Sequence, residues 1–287
     1  MTSGCCVFRF GDREWRFDGG CVVMGIVNVT PDSFSDGGEH PDASSAIAHG
    51  LGLWEAGAAW LDVGGESTRP GAAAVTAEEE IRRVVPVIRG LRERTAAVIS
   101  IDTTKAAVAD AALAAGAHVV NDVSALQADP GLAEVLAATG AGCILMHSRG
   151  TPATMRTLTH YDDVAADVRR ELGHCLESAL ARSGLPAEHF MTDPGIGFAK
   201  TPAQSLALIS AIAALRDAFG RPVLMGPSRK SFIGHVLDQP DPHRRLWGTA
   251  GAVAACVLNG ADVVRVHDVR EMADVVRVCA AIRAAAP

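Results

Sequence analysis

Side chains that can bind a substrate recur at the ends of short apolar segments along this sequence. Eight such segments occur, and polar or charged residues follow closely after each. The residues with the clearest binding chemistry are Asn28, Thr68, Arg69, Asp102, Asn121, Asp193, Lys230, Arg265 and His267. A single carboxylate after a strand is usually a helix N-cap. Carboxylates, amides, cations and a histidine at eight successive segment ends instead indicate one shared site.

Two carboxylates and an amide in this set could hold a planar heterocycle. A ring edge rich in N–H donors would pair with Asp102 and Asp193 and spare the cost of burying bare charge. Asn121 adds an amide beside them. The cations Arg265 and Lys230 could cover or border such a ring.

A second group of residues suits a phosphorylated arm. Asn28, Thr68, Arg69 and His267 combine a cation, a hydroxyl, an amide and an imidazole. These groups bind anions and hard metal ions. We therefore expect a heterocycle deep in the site and a diphosphate nearer the loops.

Strand-length apolar runs alternate with amphipathic helical patterns, which predicts an α/β fold of the (β/α)8 TIM barrel type. The count of eight, and chemistry at nearly every strand end, favour a closed barrel over an open doubly wound sheet. The apolar runs cover residues 21–27, 59–63, 98–101, 118–120, 143–146, 190–191, 222–225 and 263–266. The clearest helical patterns cover 43–56, 77–93, 105–115, 161–183, 202–219 and 270–284.

No linker divides the chain, so we expect a single barrel domain over residues 1–287. An N-terminal β-hairpin over 5–18 precedes the repeat, because alternating apolar residues flank a Gly-Asp turn at 11–12. Its 287 residues suit a barrel, which typically needs ~250.

Composition argues against several other classes of protein. The net charge is −7, and aromatic residues make up 5% of the chain, so neither nucleic acid nor a membrane is an expected partner. None of the seven cysteines stands in a C-x-x-C spacing, which argues against a zinc site. Without a recognisable signal peptide, these cysteines suggest free thiols in a reducing cytoplasm.

Several segments resemble the signatures of the dihydropteroate synthase family of pterin-binding enzymes. Residues 24–38 and 62–71 are similar to its two longest motifs. Shorter motifs follow in the family's order at 101–103, 121–122, 146–147, 193–198, 228–231 and 265–268. The resemblance covers roughly residues 22–277, nearly the whole chain.

The resemblance implies a transferase of folate biosynthesis and a sulfonamide target. It would join 6-hydroxymethyl-7,8-dihydropterin diphosphate to p-aminobenzoate by an SN1-like reaction with Mg2+. The resemblance also implies a homodimer. The pterin would be bound by Asp102, Asn121, Asp193, Lys230 and Arg265. The diphosphate would be bound by Asn28, Thr68, Arg69, Arg265 and His267, with Asn28 also near the metal. The p-aminobenzoate would be bound by Phe34, Arg69, Pro70, Phe198, Lys230 and Ser231. The catalytic set would be Asp102, Lys230, Arg265, His267 and Asn28.

Two other functions fit parts of the same pattern. A pterin-dependent methyltransferase would share the pterin floor but has no use for diphosphate ligands or the Ser-Arg-Lys-Ser segment at 228–231. A paralogue that binds pterin without turnover would keep the floor. His147 could equally be a core polar residue or line the site. Pro227 and Ser148 depart from the usual family pattern, which bears mainly on the p-aminobenzoate side.

Overall fold

The computed structural model describes residues 6–30, 43–67 and 74–285. Strands and helices alternate in these residues after an N-terminal hairpin. The strands are β1 Cys6–Phe10, β2 Arg13–Phe17, β3 Val22–Asn28, β4 Trp60–Gly64, β5 Val98–Asp102, β6 Val119–Asp122, β7 Gly142–Met146, β8 Phe190–Asp193, β9 Leu224–Met225 and β10 Val263–Val266. The α-helices are α1 Ala43–Glu55, α2 Ala77–Arg92, α3 Ala106–Ala114, α4 Gly131–Thr139, α5 Val164–Ser183, α6 Pro202–Ser210, α7 Ile212–Phe219, α8 Ser231–Val236, α9 Leu246–Leu258 and α10 Val269–Ala284.

The eight strands from β3 to β10 form one parallel sheet that closes on itself. Their order is β8-β7-β6-β5-β4-β3-β10-β9. A parallel bridge between Thr192 and Val223 joins the two edges, and the Thr192 N–H donates to the Pro222 carbonyl at 3.0 Å. Nearly every strand residue is buried because side chains fill the barrel on one face and meet helices on the other. This confirms the predicted (β/α)8 barrel.

The hairpin of β1 and β2 closes the amino-terminal end of the barrel. Phe8 is fully buried and stacks on Trp60, with ring centroids 5.7 Å apart. Phe10 and Phe17 pack in the same cluster, which includes residues from the starts of seven other barrel strands. At Gly142 a β-carbon would lie 2.6 Å from the Phe8 ring, so this close approach requires glycine. The hairpin predicted over 5–18 is present, and the opposite end of the barrel holds the polar residues.

The helices surround the barrel, with some differences from the sequence patterns. The pattern at 202–219 forms two helices, since the Ile209 carbonyl accepts a hydrogen bond from Asn259 at 3.0 Å where α6 ends. The helices α4, α8 and α9 lie outside the predicted helical patterns: α8 spans only six residues, and the small apolar residues of α4 and α9 give little periodic contrast. No helix in the described ranges is both long enough and apolar enough to cross a bilayer.

Candidate active site

The carboxyl ends of neighbouring strands bring the predicted polar residues together at one end of the barrel. Asn28 and Asp102 are the last residues of β3 and β5, and Asp193 is the last residue of β8. Asp102 is in register with Gly64 on one side and Asn121 on the other. Parallel pairing therefore places residues that are far apart in sequence around one opening.

A buried ion cluster forms the floor of this opening. Arg265 donates from Nε to Asp62 Oδ2 at 2.5 Å and from its terminal nitrogen to Asp102 Oδ2 at 2.8 Å. Asp62, which is fully buried, also accepts from Ser100 Oγ at 2.5 Å and from Asn121 Nδ2 at 3.1 Å. Each oxygen of Asp62 thus has a donor, and Asp62 fixes the positions of both Arg265 and Asn121.

Asp62 is a functional residue that the sequence reading left without a role. It lies within an apolar strand between Leu61 and Val63, and a charge there needs a partner once it is buried. A charged residue inside an apolar strand was therefore the sequence feature that could have identified Asp62. The partner, Arg265, is 203 residues further along the chain, so no local pattern could identify it.

Burial and the neighbouring opposite charge shift the pKa values of Asp102 and Arg265 in opposite directions. Burial raises the pKa of Asp102 to about 7 although the Arg265 guanidinium lowers it, and the negative charges of Asp62 and Glu80 raise it further. Burial disfavours the charged guanidinium of Arg265, but attraction to Asp62 and Asp102 outweighs this and raises its pKa. The cluster therefore holds one permanent cation beside a carboxyl that exchanges its proton near neutral pH.

Three acceptor oxygens remain available around the floor. Asp102 Oδ1, Asn121 Oδ1 and Asp193 Oδ2 receive no hydrogen bond from any described residue. Each of these three oxygens also keeps some exposure to solvent. Acceptors on three strands can therefore receive donors from a planar ligand at the barrel mouth.

A lysine and an aromatic ring border the Asp193 side of the opening. Asp193 Oδ1 accepts from the Gly195 N–H at 2.7 Å. The Lys230 ammonium binds the Ile196 carbonyl and lies 4.7 Å from the centroid of the Phe198 ring. Burial lowers the pKa of Lys230 to about 8, and the nearby Asp193 charge limits the fall. Lys230 is thus largely charged at neutral pH.

The loop after β8 takes a path that depends on glycine. Gly195 has φ +66°, and a β-carbon there would lie 1.9 Å from the His147 carbonyl oxygen. No other residue could approach β7 so closely. His147 itself is buried, and its Nε2 lies 2.9 Å from Glu171 Oε2. Of the two alternatives for His147, the structure supports a core polar residue behind the site.

The end of β10 places His267 beside a serine. The Ser228 hydroxyl accepts from the His267 backbone N–H at 3.2 Å and lies 2.9 Å from His267 Nδ1. Ser228 therefore fixes the orientation of the His267 ring at the end of β10. Ser228 is a second supporting residue to which the sequence reading gave no role.

The structure describes Ser231 and Pro227 but not four of the other predicted site residues. Ser231 is exposed at the start of α8. Pro227 loses nothing by lacking an N–H, and its carbonyl accepts from the Lys230 N–H at 3.3 Å. The predictions for Phe34, Thr68, Arg69 and Pro70 fall outside the described residues.

Comparison with known proteins agrees with this geometry. The model of the pterin binding enzyme family matches residues 24–267. A dihydropteroate synthase of Synechocystis sp. is 46% identical over 282 residues, covering 98% of this chain and 94% of that protein. The solved Xanthomonas albilineans dihydropteroate synthase with 4-aminobenzoic acid has a TM-score of 0.90 and 43% identity, covering 99% of this chain and 100% of that chain. A structure from the same organism in complex with 7,8-dihydropteroate has a TM-score of 0.86 and 41% identity, covering 96% and 98%.

The ion cluster predicts a pH-dependent stability loss in Arg265→Met. At pH 8 the variant should lose about 3–5 kcal/mol of unfolding free energy, because two buried carboxylates lose their cation. Burial already raises the pKa of Asp102 to about 7, and removing Arg265 raises it further. The carboxyl is therefore neutral in the fold at acid pH, and the loss should shrink as pH falls below 7.

Urea unfolding at pH 5.5, 7 and 8.5 measures this difference. Arg277→Met is the control, since Arg277 pairs with Asp274 on the surface with 78% of its side chain exposed. It should cost little at any pH. An Arg265→Met penalty that is the same at all three pH values would contradict the role given to the carboxylates.

Proposed function

Since this chain belongs to the pterin-binding enzyme family, we propose that it condenses 6-hydroxymethyl-7,8-dihydropterin diphosphate with p-aminobenzoate. The products are 7,8-dihydropteroate and diphosphate, and the enzyme is a transferase. The observation that carries the proposal is the set of open acceptors on Asp102, Asn121 and Asp193 beside two partly buried cations, Arg265 and Lys230. The relatives reported above are synthases, which favours this reaction over methyl transfer.

The floor matches the donor-rich edge of a pterin. A pterin presents an amino group and a ring N–H on one side, and these would pair with the open carboxylate and amide oxygens. Arg265 is held in place by Asp62 and Asp102, so its planar guanidinium can stack on the ring without losing side-chain freedom at that moment. The site is therefore organised before the pterin binds.

The reaction needs no strong base or nucleophilic side chain. The C–O bond between the pterin methylene and the diphosphate breaks, and the neutral arylamine nitrogen then forms the new C–N bond and releases a proton. The Asp102 carboxylate stabilises positive charge that develops on the pterin. His267 and Arg265 would stabilise the departing diphosphate. The result is the SN1-like course that the sequence suggested.

The p-aminobenzoate pocket would lie on the Phe198 side of the opening. The Phe198 ring offers an apolar face, and Lys230 lies beside it at 4.7 Å. Ser231 begins α8 next to Lys230. An arylamine with a carboxylate would find an apolar surface and a cation there. We propose that sulfonamides compete for this same pocket.

A magnesium ion fits the donors present at the mouth. Asn28 ends β3, and its side-chain amide has no hydrogen-bond partner among the described residues. The described residues contain no group of three His, Cys, Asp or Glu that could hold a metal. Mg2+ commonly binds through one or two protein oxygens and substrate phosphates. Asn28 would hold it, and the bound ion would neutralise charge on the diphosphate.

We also propose that the enzyme is a homodimer. Six of the nine exposed large apolar side chains of the described residues lie on or directly after the neighbouring helices α8, α9 and α10, and we call this set the apolar patch: Val236, Leu237, Trp247, Leu258, Val278 and Ile282. Trp247 is 82% exposed, and α9 contains no charged residue over its 13 positions. A monomer rarely exposes such a surface. An uncharged face can meet its own copy across a two-fold axis without repulsion.

We propose that the protein is located in the cytoplasm. The support comes from the cysteines, since all six in the described residues are free thiols. Reduced thiols are typical of proteins in a reducing compartment.

Asp102→Asn should lower kcat/KM for dihydropteroate formation by ~10²–10³ while the protein stays folded. The substitution keeps the shape of the side chain but removes the charge that faces the pterin. Turnover is measured with both substrates and Mg2+, and circular dichroism checks the fold. Absence of dihydropteroate formation by the wild-type protein would refute the proposed function. A normal rate in Asp102→Asn would refute only the role of the carboxylate.

Diphosphate binding should depend on a divalent cation and on Asn28. Calorimetric titration of the protein with pyrophosphate should show affinity in Mg2+ that falls about tenfold or more in excess EDTA, a loss of roughly 1.4 kcal/mol. In Asn28→Ala the two conditions should give nearly equal, weak binding. Equal affinity for wild type with and without Mg2+ would count against the metal.

Trp247→Glu should convert the dimer to a monomer, because it places two like charges at the centre of a self-complementary apolar face. Sedimentation velocity over a range of concentrations gives the mass. Leu206→Glu is the control, since Leu206 is 42% exposed on α6 outside the patch. A wild-type protein that sediments as a monomer at micromolar concentration would refute the homodimer.

A further inference from the structure

Lysine is rare in this chain and is confined to one end of the barrel. The sequence has three lysines against 23 arginines. Lys230 borders the pterin floor, and Lys105 bonds Glu66 and Glu80 just after β5. The third, Lys200, follows the loop after β8 and has no part in the reaction described above. Where most basic positions are arginine, a buried lysine suggests a need for a compact ammonium group.

The Lys200 ammonium is buried with three acceptors around it. Only 8% of the residue is exposed. Its Nζ lies 3.0 Å from His147 Nδ1, 3.4 Å from the His147 carbonyl and 2.9 Å from the Phe198 carbonyl. Three N–H groups thus meet three acceptors, which offsets the cost of burying the charge.

The histidine in this network is fixed in one protonation state. Its Nε2 lies 2.9 Å from Glu171 Oε2, and Arg149 holds the same carboxylate. Burial and the positive charge of Lys200 lower the pKa of His147 to about 4. The neutral ring therefore donates from Nε2 to Glu171 and accepts at Nδ1 from Lys200. A continuous chain of hydrogen bonds connects the surface of α5 to the loop after β8.

The same network touches the segment that carries Asp193 and Phe198. The His147 N–H donates to the Asp193 carbonyl at 2.8 Å, and Gly195 rests on the His147 carbonyl. Lys230 holds the Ile196 carbonyl from one side of this segment. Lys200 holds the Phe198 carbonyl from the other. The two ammonium groups therefore bracket the wall shared by the pterin and p-aminobenzoate pockets.

The charges around Lys200 and Asp193 are mutually dependent. Burial lowers the pKa of Lys200 to about 7; Asp193 and Glu171 oppose the fall, while Lys230 and Arg149 favour it. Burial raises the pKa of Asp193, whereas Lys230, the Gly195 N–H, Lys200 and Arg265 lower it. Loss of the Lys200 charge would make the Asp193 carboxylate easier to protonate.

We propose that Lys200 is a positioning residue for the pterin site: its ammonium group ties the loop of residues 193–198 to the end of β7 and supplies positive charge that keeps Asp193 ionised. The proposal rests on the pterin-binding function proposed above. An ionised Asp193 accepts the donor edge of the pterin, so Lys200 acts on the ligand through Asp193 without touching it.

The first test measures Lys200 in the free protein. Labelling with 13C-lysine gives only three Cε resonances, and Lys200→Met identifies the relevant one by its loss. The Lys200 signal should titrate near pH 7, and Glu171→Gln should move that titration to lower pH because it removes an opposing negative charge. A Lys200 signal that is already that of a neutral amine at pH 6 would overturn the proposal whatever the protein binds, because the positive charge assigned to Lys200 would then be absent.

The second test measures calorimetric binding of 6-hydroxymethylpterin between pH 6 and 8.5. Lys200→Met should weaken binding about tenfold at pH 6, because loss of a nearby positive charge makes the Asp193 carboxylate easier to protonate. The difference between the two dissociation constants should narrow at pH 8.5, where wild-type Lys200 has lost its proton. The titration of the ligand cancels in the ratio of the two dissociation constants.

A purely structural lysine would give a different pattern. If the ratio of the two dissociation constants, Lys200→Met over wild type, stays constant with pH or equals one throughout, the proposal is overturned while pterin binding stays intact. Failure of the wild type to bind the pterin overturns the proposed function instead. Arg169→Met on α5 is the control, since Arg169 is exposed and pairs with no other described residue, and it should leave the ratio near one. If Lys200→Met does not fold, Glu171→Gln must weaken binding more at pH 6.5 than at pH 8.5, or the proposal fails.

Discussion

The rest of the site depends on one buried cation shared between two carboxylates. Arg265 of β10 binds Asp62 of β4 and Asp102 of β5, and none of these charges could be buried alone without a large penalty. The guanidinium makes it possible for both carboxylates to remain inside. Their position then decides where Asn121 points and which oxygens stay open to a ligand. The floor is a ligand site because its charges are only partly satisfied by one another.

The closed end of the barrel makes the open end possible. Phe8, Phe10 and Phe17 cover the starts of the strands around Trp60, so the apolar core is complete at that end without help from loops. Polar residues can then be concentrated at the carboxyl ends of the strands, where a ligand can complete their hydrogen bonds. Stability and chemistry are thus placed at opposite ends of the same eight strands.

Charge at the open end is balanced among residues that can and cannot lose it. Arg265 is a permanent cation, whereas burial brings the pKa of Lys230 to about 8 and that of Lys200 to about 7. Burial raises the pKa of Asp102 to about 7 as well. A diphosphate in the site would therefore lie near side chains whose protonation state can change. The polar residues behind the site influence how far it changes.

The sequence alone determined the architecture and which polar residues follow its strands. Eight apolar runs, each followed by polar residues, were enough to predict the barrel, because strand burial and strand-end chemistry are encoded locally. Asp102, Asn121, Asp193, Lys230 and Arg265 were all named, and all lie at the barrel mouth. The tertiary structure alone decided how they pair. Asp62 with Arg265 and Lys200 with His147 are separated by 203 and 53 residues. Such contacts arise from strand order and loop path, and neither charge pattern nor periodicity in the sequence specifies which buried groups meet.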